Sequence, residues 1–151
     1  MEKNGRKILL AMDGSDDSDH AYRWYLKFFR QKDDYVIFVH CPEMSQLQLS
    51  CFFTKSTEEI KDMMLHEENE TKLLLARLNE HLKREGISGK TIRLDGDPRE
   101  ALTEIAEKEN IDCIITGSRG VNRKRSTIIG SVSSYLVHHS KVPVMIVKKD
   151  K

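Results

Sequence analysis

The chain has 151 residues, of which 38% are hydrophobic and 32% charged, with a formal net charge of +1. That length suits one domain with room for a core, and the composition is neither that of a disordered chain nor that of a membrane protein. A charge so close to zero gives no global pull toward nucleic acid or a lipid surface, so any anion site has to be local.

In chain order, residues 1–7 hold no apolar stretch of signal-peptide length, and no later run is long enough to span a bilayer. Lys7-Ile8-Leu9-Leu10-Ala11-Met12 is continuously apolar and stops at Asp13-Gly14-Ser15. Continuous rather than alternating apolar character predicts a strand buried on both faces, as in a parallel sheet. Ser15 caps the helix expected next, and Asp16, Asp17 and Asp19 suit its dipole. Ala21, Trp24, Tyr25 and Phe28 recur at helical spacing and predict its buried face. Tyr35–Cys41 is rich in β-branched and aromatic residues and predicts a second strand, ended by Pro42. Residues 43–56 have no clear period and read as a loop, although Leu47, Leu49, Cys51, Phe52 and Phe53 make it apolar enough to cover a ligand, to form a partner surface or, the favoured reading, to pack as a satellite cluster.

From Thr57 to about Arg84 the spacing of Ile60, Met63, Met64, Thr71, Leu74, Leu75, Leu78 and Leu82 predicts a helix about 40 Å long. Thr57 is its expected N-cap and Gly86 its C′ residue. Lys90–Asp95 alternates and predicts a short strand nearer a sheet edge. Asp97-Pro98-Arg99-Glu100 is a helix start, with Asp as N-cap and Pro at the first helical position. Ala101, Leu102, Ile105 and Ala106 form that helix's buried face. Asp112–Thr116 predicts a fourth buried strand running into Gly117. Val132, Tyr135, Leu136 and His139 mark a last helix, and Val142–Val147 a fifth strand. The alternation predicts an α/β fold: a parallel sheet with helices on both faces, in one domain.

In such sheets ligands sit outside the carboxyl ends of the strands, where the strand order reverses. Those ends here carry Asp13-Gly14-Ser15, His40-Cys41, Asp95-Gly96-Asp97 and Thr116-Gly117-Ser118. The strongest motif is Gly117-x2-Gly120-x9-Gly130-Ser131, which joins a buried strand to a helix start. Glycine allows close approach of a phosphate and positive φ, and helix N-terminal N–H groups favour an anion. Ser131 and Ser133 add hydroxyls, and Arg119, Arg123, Lys124 and Arg125 add cationic side chains suited to a polyphosphate. The same glycines also fit ordinary turns. Asp13 could bond ribose hydroxyls or an adenine amino group, or, with Ser15, satisfy a helix-entry turn.

Metal and catalytic signals are weaker. Cys41, Cys51 and Cys113 lack metal-ligand spacing and read as reduced thiols of a cytoplasmic protein. His138 and His139 point about 100° apart on a helix, which disfavours joint chelation. There is no G-x4-G-K-[ST] motif. A Mg²⁺ ion accompanying a triphosphate needs one or two protein ligands, with Asp13 as the candidate. Cys41 reads either as a reactive thiol or as a small buried hydrophobe.

The motifs together resemble the universal stress protein family. Its phosphate signature matches at Gly117, Gly120, Gly130 and Ser131. Ile8–Ser15, Val39-His40-Cys41, Gly96-Asp97-Pro98 and Val142–Val147 resemble its first strand and acidic turn, second strand end, third turn and closing strand. The resemblance runs over roughly residues 5–148. It implies a Rossmann-like five-stranded parallel sheet in order 3-2-1-4-5, with ATP between strands 1 and 4. It implies that Asp13, in the turn with Gly14 and Ser15, contacts ribose or adenine, and that Cys41 lines the adenine pocket. Gly117, Arg119, Gly120, Gly130, Ser131 and Val132 would hold ribose and phosphates, beside Thr116 and Ser133. It also implies a homodimer through Val144–Val147, where a partner would cover an apolar strand edge.

Three functions follow as expectations: an ATP-dependent sensor or switch in stress response, a slow ATPase or phosphotransferase using the same site, and a dimeric interaction protein that binds no nucleotide. A phosphorylated receiver-like domain, using Asp13, Asp16, Asp95, Thr116 and Lys148, is a further possibility that the glycine signature disfavours.

Overall fold

The computed structural model describes residues 4–42, 53–118 and 130–149. Among the described residues the strands β1 (Lys7–Ala11), β2 (Tyr35–His40), β3 (Ser88–Arg93), β4 (Cys113–Gly117) and β5 (Val144–Val147) alternate with the helices α1 (Asp16–Trp24), α2 (Thr57–Arg84), α3 (Pro98–Lys108) and α4 (Ser131–His139). All the strand pairs are parallel, in the order β3-β2-β1-β4-β5. The α/β fold and strand order expected from the sequence are therefore those observed.

The continuous apolar runs are explained by two cores, one on each face. Ile8, Leu10, Val36, Phe38 and Ile115 point to the side covered by Tyr22 and Tyr25 and by Leu78 and Leu82 of α2. Leu9, Ile37, Val39 and Ile114 point to the side covered by Leu102 and Ile105 of α3 and Leu136 of α4. Since strand side chains alternate in direction, a strand needs apolar residues at every position to fill both layers.

Helix starts agree closely with their capping chemistry. Ser15 accepts from the Ser18 N–H, and Asp97 from the Arg99 N–H with Pro98 following. The cap of α2 is Ser56, one residue before the expected Thr57; its hydroxyl accepts from the Glu59 N–H. The end of α1 departs further. Tyr25–Phe29 is a π-helical turn, which inserts an extra residue into the helical repeat and rotates everything after it. Trp24 and Tyr25 still pack inward, but Phe28, expected on the buried face, is 65% exposed. β3 begins two residues earlier than its alternation suggests and ends at Arg93, because its register against β2 runs from Tyr35↔Ser88 to His40↔Arg93.

At the amino end of the sheet the buried Asp34 carboxylate organises the chain. The Arg6 guanidinium donates to both its oxygens at 2.8 Å and to the Phe29 carbonyl. The Tyr25 hydroxyl and the Gln31 N–H donate to Oδ2. Burial opposes the charge on Asp34, but these donors, Arg6 foremost, outweigh it and hold the carboxyl below its ordinary range. One network thus ties β1, the π-turn and the entry to β2.

Candidate functional site

The chain runs outward from β1 to β2 and β3, then crosses back to β4 on the other side of β1. The connections diverge where β1 and β4 lie side by side, and a crevice opens at their carboxyl ends. The β1–β4 register, with Leu10 opposite Ile115, sets Asp13-Gly14-Ser15 beside the Gly117–Ser118 strand end.

The β1 turn is built from its own polar groups. Gly14 has φ +83°, the left-handed region where glycine carries no steric penalty. One Asp13 carboxylate oxygen accepts from both the N–H and the hydroxyl of Ser15. The Ser15 oxygen in turn accepts from the Ser18 N–H. Asp13 therefore orients the residue that caps α1, and its carboxylate is held at the mouth of the crevice.

His40 is a positioning residue that the motif reading did not single out. It is buried, and its Nδ1 lies 2.7 Å from the Met12 carbonyl. A carbonyl can only accept, so Nδ1 carries the proton. The bond clamps the end of β2 to the end of β1. Cys41 follows on the same strand end and is half-buried. Burial pushes its thiol up to about 11, helped by Asp95 and Asp97. A thiol so raised stays protonated at neutral pH and is a poor nucleophile, which favours the small buried hydrophobe over the reactive thiol.

Gly117 and Gly130 serve for reasons other than the positive φ expected of them. Neither has φ in the left-handed region. A Cβ on Gly117 would lie 2.8 Å from the Asp17 carbonyl oxygen, so glycine lets the first turn of α1 rest directly on the end of β4. Gly130 is the N-cap of α4, with φ −65° and ψ 158°, and it offers no capping side chain. Its N–H donates to the Ser118 carbonyl. Ser133, expected to offer its hydroxyl to a phosphate, is buried and donates to the Gly117 carbonyl at 2.8 Å. A serine has one hydroxyl proton, so in this arrangement Ser133 anchors the helix to the strand. Ser131 is exposed, Val132 packs against the core beneath α4, and Thr116 is buried within β4. Arg119, Gly120, Arg123, Lys124 and Arg125 lie outside the described residues.

The result is one helix start unlike the others. α1, α2 and α3 each have an N-cap side chain accepting from a first-turn N–H, whereas at α4 none among the described residues does. Those N–H groups carry the positive end of the helix dipole, and the Gly130 cap offers them no side chain. Such an end, fixed to a buried strand, can hold an anion without rearrangement. Among the described residues no three His, Cys, Asp or Glu side chains gather to hold a metal ion, and no helix is long and apolar enough to cross a membrane.

Receiver chemistry does not fit this layout. β3 lies at the sheet edge with β2 between it and β1. Two inter-strand steps, about 10 Å, therefore separate the strand leading to Asp95 from the one leading to Asp13. The receiver-type order 2-1-3-4-5 would make them neighbours.

Comparison with known proteins agrees with this architecture. Residues 5–148 match the family model described as the universal stress protein family. Universal stress protein MJ0577 of Methanocaldococcus jannaschii is 28% identical over 154 residues, covering 95% of each chain. The solved MJ0577 structure superposes with a TM-score of 0.78 over 99% of both chains, at 27% identity. An Arabidopsis thaliana universal stress protein family protein with AMP bound shares the fold at TM-score 0.71 and 20% identity, over 96% of this chain and 92% of that one. A universal stress protein in complex with cAMP does so at 0.66 and 21%, over 96% and 98%. The matched length and the strand order agree on one assignment: the chain belongs to the universal stress protein family.

Proposed function

We propose that this protein binds an adenine nucleotide, ATP in the first instance, in the crevice between β1 and β4 and acts as a nucleotide-dependent sensor or switch. The observation that carries this reading is the start of α4. Its first-turn N–H groups lack a capping side chain, and Ser133 and Gly130 tie it to the end of β4. The AMP- and cAMP-bound relatives support the ligand class.

In this reading Gly117, Arg119, Gly120, Gly130, Ser131 and Val132 hold the ribose and phosphates. Asp13 meets the ribose or base across the crevice, supported by Gly14 and Ser15, and Cys41 packs against the base as an uncharged thiol. Thr116 and Ser133 position the strand end and the helix. A Mg²⁺ ion would travel with the triphosphate, with Asp13 as its protein ligand, because such ions retain most of their water and phosphate ligands.

The site holds charge, and among the described residues we assign no general base beside the phosphates, which an efficient hydrolase requires. Binding is therefore the proposed activity. A second copy is the proposed partner. The β5 edge reads Val-Met-Ile-Val and is half-buried, while the opposite edge, β3, carries Lys90 and Arg93. A bare apolar edge invites pairing.

Native mass spectrometry of the purified protein, with calorimetric titration of ATP, ADP and AMP, tests the reading. Bound adenine nucleotide, or saturable ATP binding, is the expected result. Absence of both would leave the dimeric interaction protein as the better account.

A further inference from the structure

The helix α2 is too long for the sheet it covers. Its 28 residues span about 42 Å, whereas β2 and β3 have six residues each, about 20 Å. Two contacts locate the overhang. A Cβ on Gly14 would lie 3.7 Å from Leu74, level with the end of β1. Arg93, the last residue of β3, pairs with Glu68 at 2.8 Å. The part of α2 before Glu68 therefore rises past the carboxyl ends of the strands, beside the crevice.

This overhang keeps the helix's apolar face. Ile60, Met63 and Met64 lie on the face that runs through Thr71, Leu74 and Leu78 at three- and four-residue steps, with Glu67 interrupting it between Met64 and Thr71. Below, Leu74 and Leu78 pack against the core. Above, none of the three belongs to either core cluster among the described residues, and Met64 is 55% exposed. Charge is segregated there too. Residues 57–70 contain six carboxylates and one lysine, in a chain whose net charge is +1. By helical position, Glu59 and Glu70 flank the stripe on one side, Glu67 lies on it, and Glu68, on the other side, is paired with Arg93.

We propose that the overhang of α2 is a docking surface for a cationic amphipathic helix of a partner protein. Ridges at three- and four-residue spacing fit another helix, and methionines adapt to varied apolar faces. The Glu59 and Glu70 carboxylates along one border select lysine and arginine on the incoming helix and repel acidic competitors. A second copy docking here would bring its own six carboxylates against these, so the occupant is a different chain. The surface lies beside the proposed nucleotide crevice but does not depend on it, and its test needs no nucleotide.

The probe is a fluorescent helical peptide of leucine and lysine in amphipathic order, with a leucine–glutamate peptide of the same pattern as control, read by anisotropy. The leucine–lysine peptide should bind the full chain and weaken with added salt. Binding should fall about tenfold or more in Ile60→Ser/Met63→Ser/Met64→Ser and in Glu59→Gln/Glu70→Gln, both with wild-type melting curves. Unchanged affinity in either variant, or equal binding of the glutamate peptide, overturns the proposal. So does a dimer in sedimentation that the serine variant disperses, which makes a second copy the occupant. A rise in peptide affinity in Arg123→Ser/Lys124→Ser/Arg125→Ser also overturns it, since the chain's own basic stretch would then be the competitor.

Discussion

Two tyrosines three residues apart carry opposite consequences for the same atom. The Tyr25 hydroxyl donates to Asp34 at 2.8 Å. The Tyr22 hydroxyl is buried with no hydrogen-bond partner among the described residues, and burial pushes its phenol up to about 12. Deleting a satisfied donor strands its acceptor, while deleting an unsatisfied one relieves a desolvation cost. Tyr25→Phe should therefore lose about 1–3 kcal/mol, and Tyr22→Phe should be neutral or gain up to about 1 kcal/mol, by urea denaturation. Equal losses would mean that Tyr22 has a partner. Arg6 acts through the same carboxylate. The side chain of Asp34 is 1% exposed, so Arg6→Met leaves a buried charge short of its main partner and should cost about 3–5 kcal/mol at pH 7. The folded form holds Asp34 below its ordinary value. Its stabilisation is therefore present above the unfolded carboxylate value of about 4 and is lost as pH falls through the lower folded value. Arg6→Met removes most of that depression, and acid unfolding followed by circular dichroism should move to higher pH. An unmoved midpoint would show that Asp34 does not set acid stability.

Among the elements, α4 offers the cleanest separation of folding from binding. Gly130 sits in extended backbone that any residue adopts, so Gly130→Asp supplies the missing N-cap carboxylate. Relative to glycine that helps the helix by a few tenths of a kcal/mol, while placing a negative charge where the phosphates are proposed to lie. The variant should melt no lower than wild type yet lose at least about tenfold in ATP affinity by calorimetry. Retained affinity would move the anion away from α4. Gly117→Val is the poorer test, because its Cβ meets the backbone of Asp17 and would push α1 off the sheet. This difference between the two glycines was not legible in the sequence. The motif gives their spacing, but whether a glycine serves φ, a cap or close approach depends on what the fold brings alongside. The Ser133 bond was not legible for a related reason: its partner lies 16 residues away, and no local pattern says that the hydroxyl turns inward. Phe28 failed through local geometry, since periodicity assumes 3.6 residues per turn and the π-turn breaks that assumption. Elements governed by local chemistry were legible. Asp97-Pro98 and Ser15 declared helix starts, and unbroken apolar runs declared the buried strands.

For the whole molecule, strand order decides more than any single motif. With β3 and β5 at the edges, the strands leading to Asp13 and to α4 are neighbours, and the strand leading to Asp95 is not. The order was read through a family resemblance, because alternation of strands and helices alone fits several doubly wound sheets. The same order leaves Val144–Val147 as an apolar edge, which couples the two proposed partners. A ligand that binds only the folded form at a concentration of 100 times its Kd adds about 2.7 kcal/mol. For a chain of 151 residues this corresponds to a rise in melting temperature of about 5–10 °C. If β5 also pairs two copies, melting temperature should fall on dilution even without nucleotide, because subunit association is itself a folded-state binding reaction. Scanning fluorimetry across nucleotide and protein concentration separates the two. A nucleotide shift without a dilution effect supports the crevice and rejects the β5 dimer as a stabilising contact. A dilution effect without a nucleotide shift favours an interaction protein whose crevice is unused. If nucleotide also flattens the dependence on dilution, occupancy of the crevice strengthens the dimer, as a switch that reports nucleotide through its assembly requires.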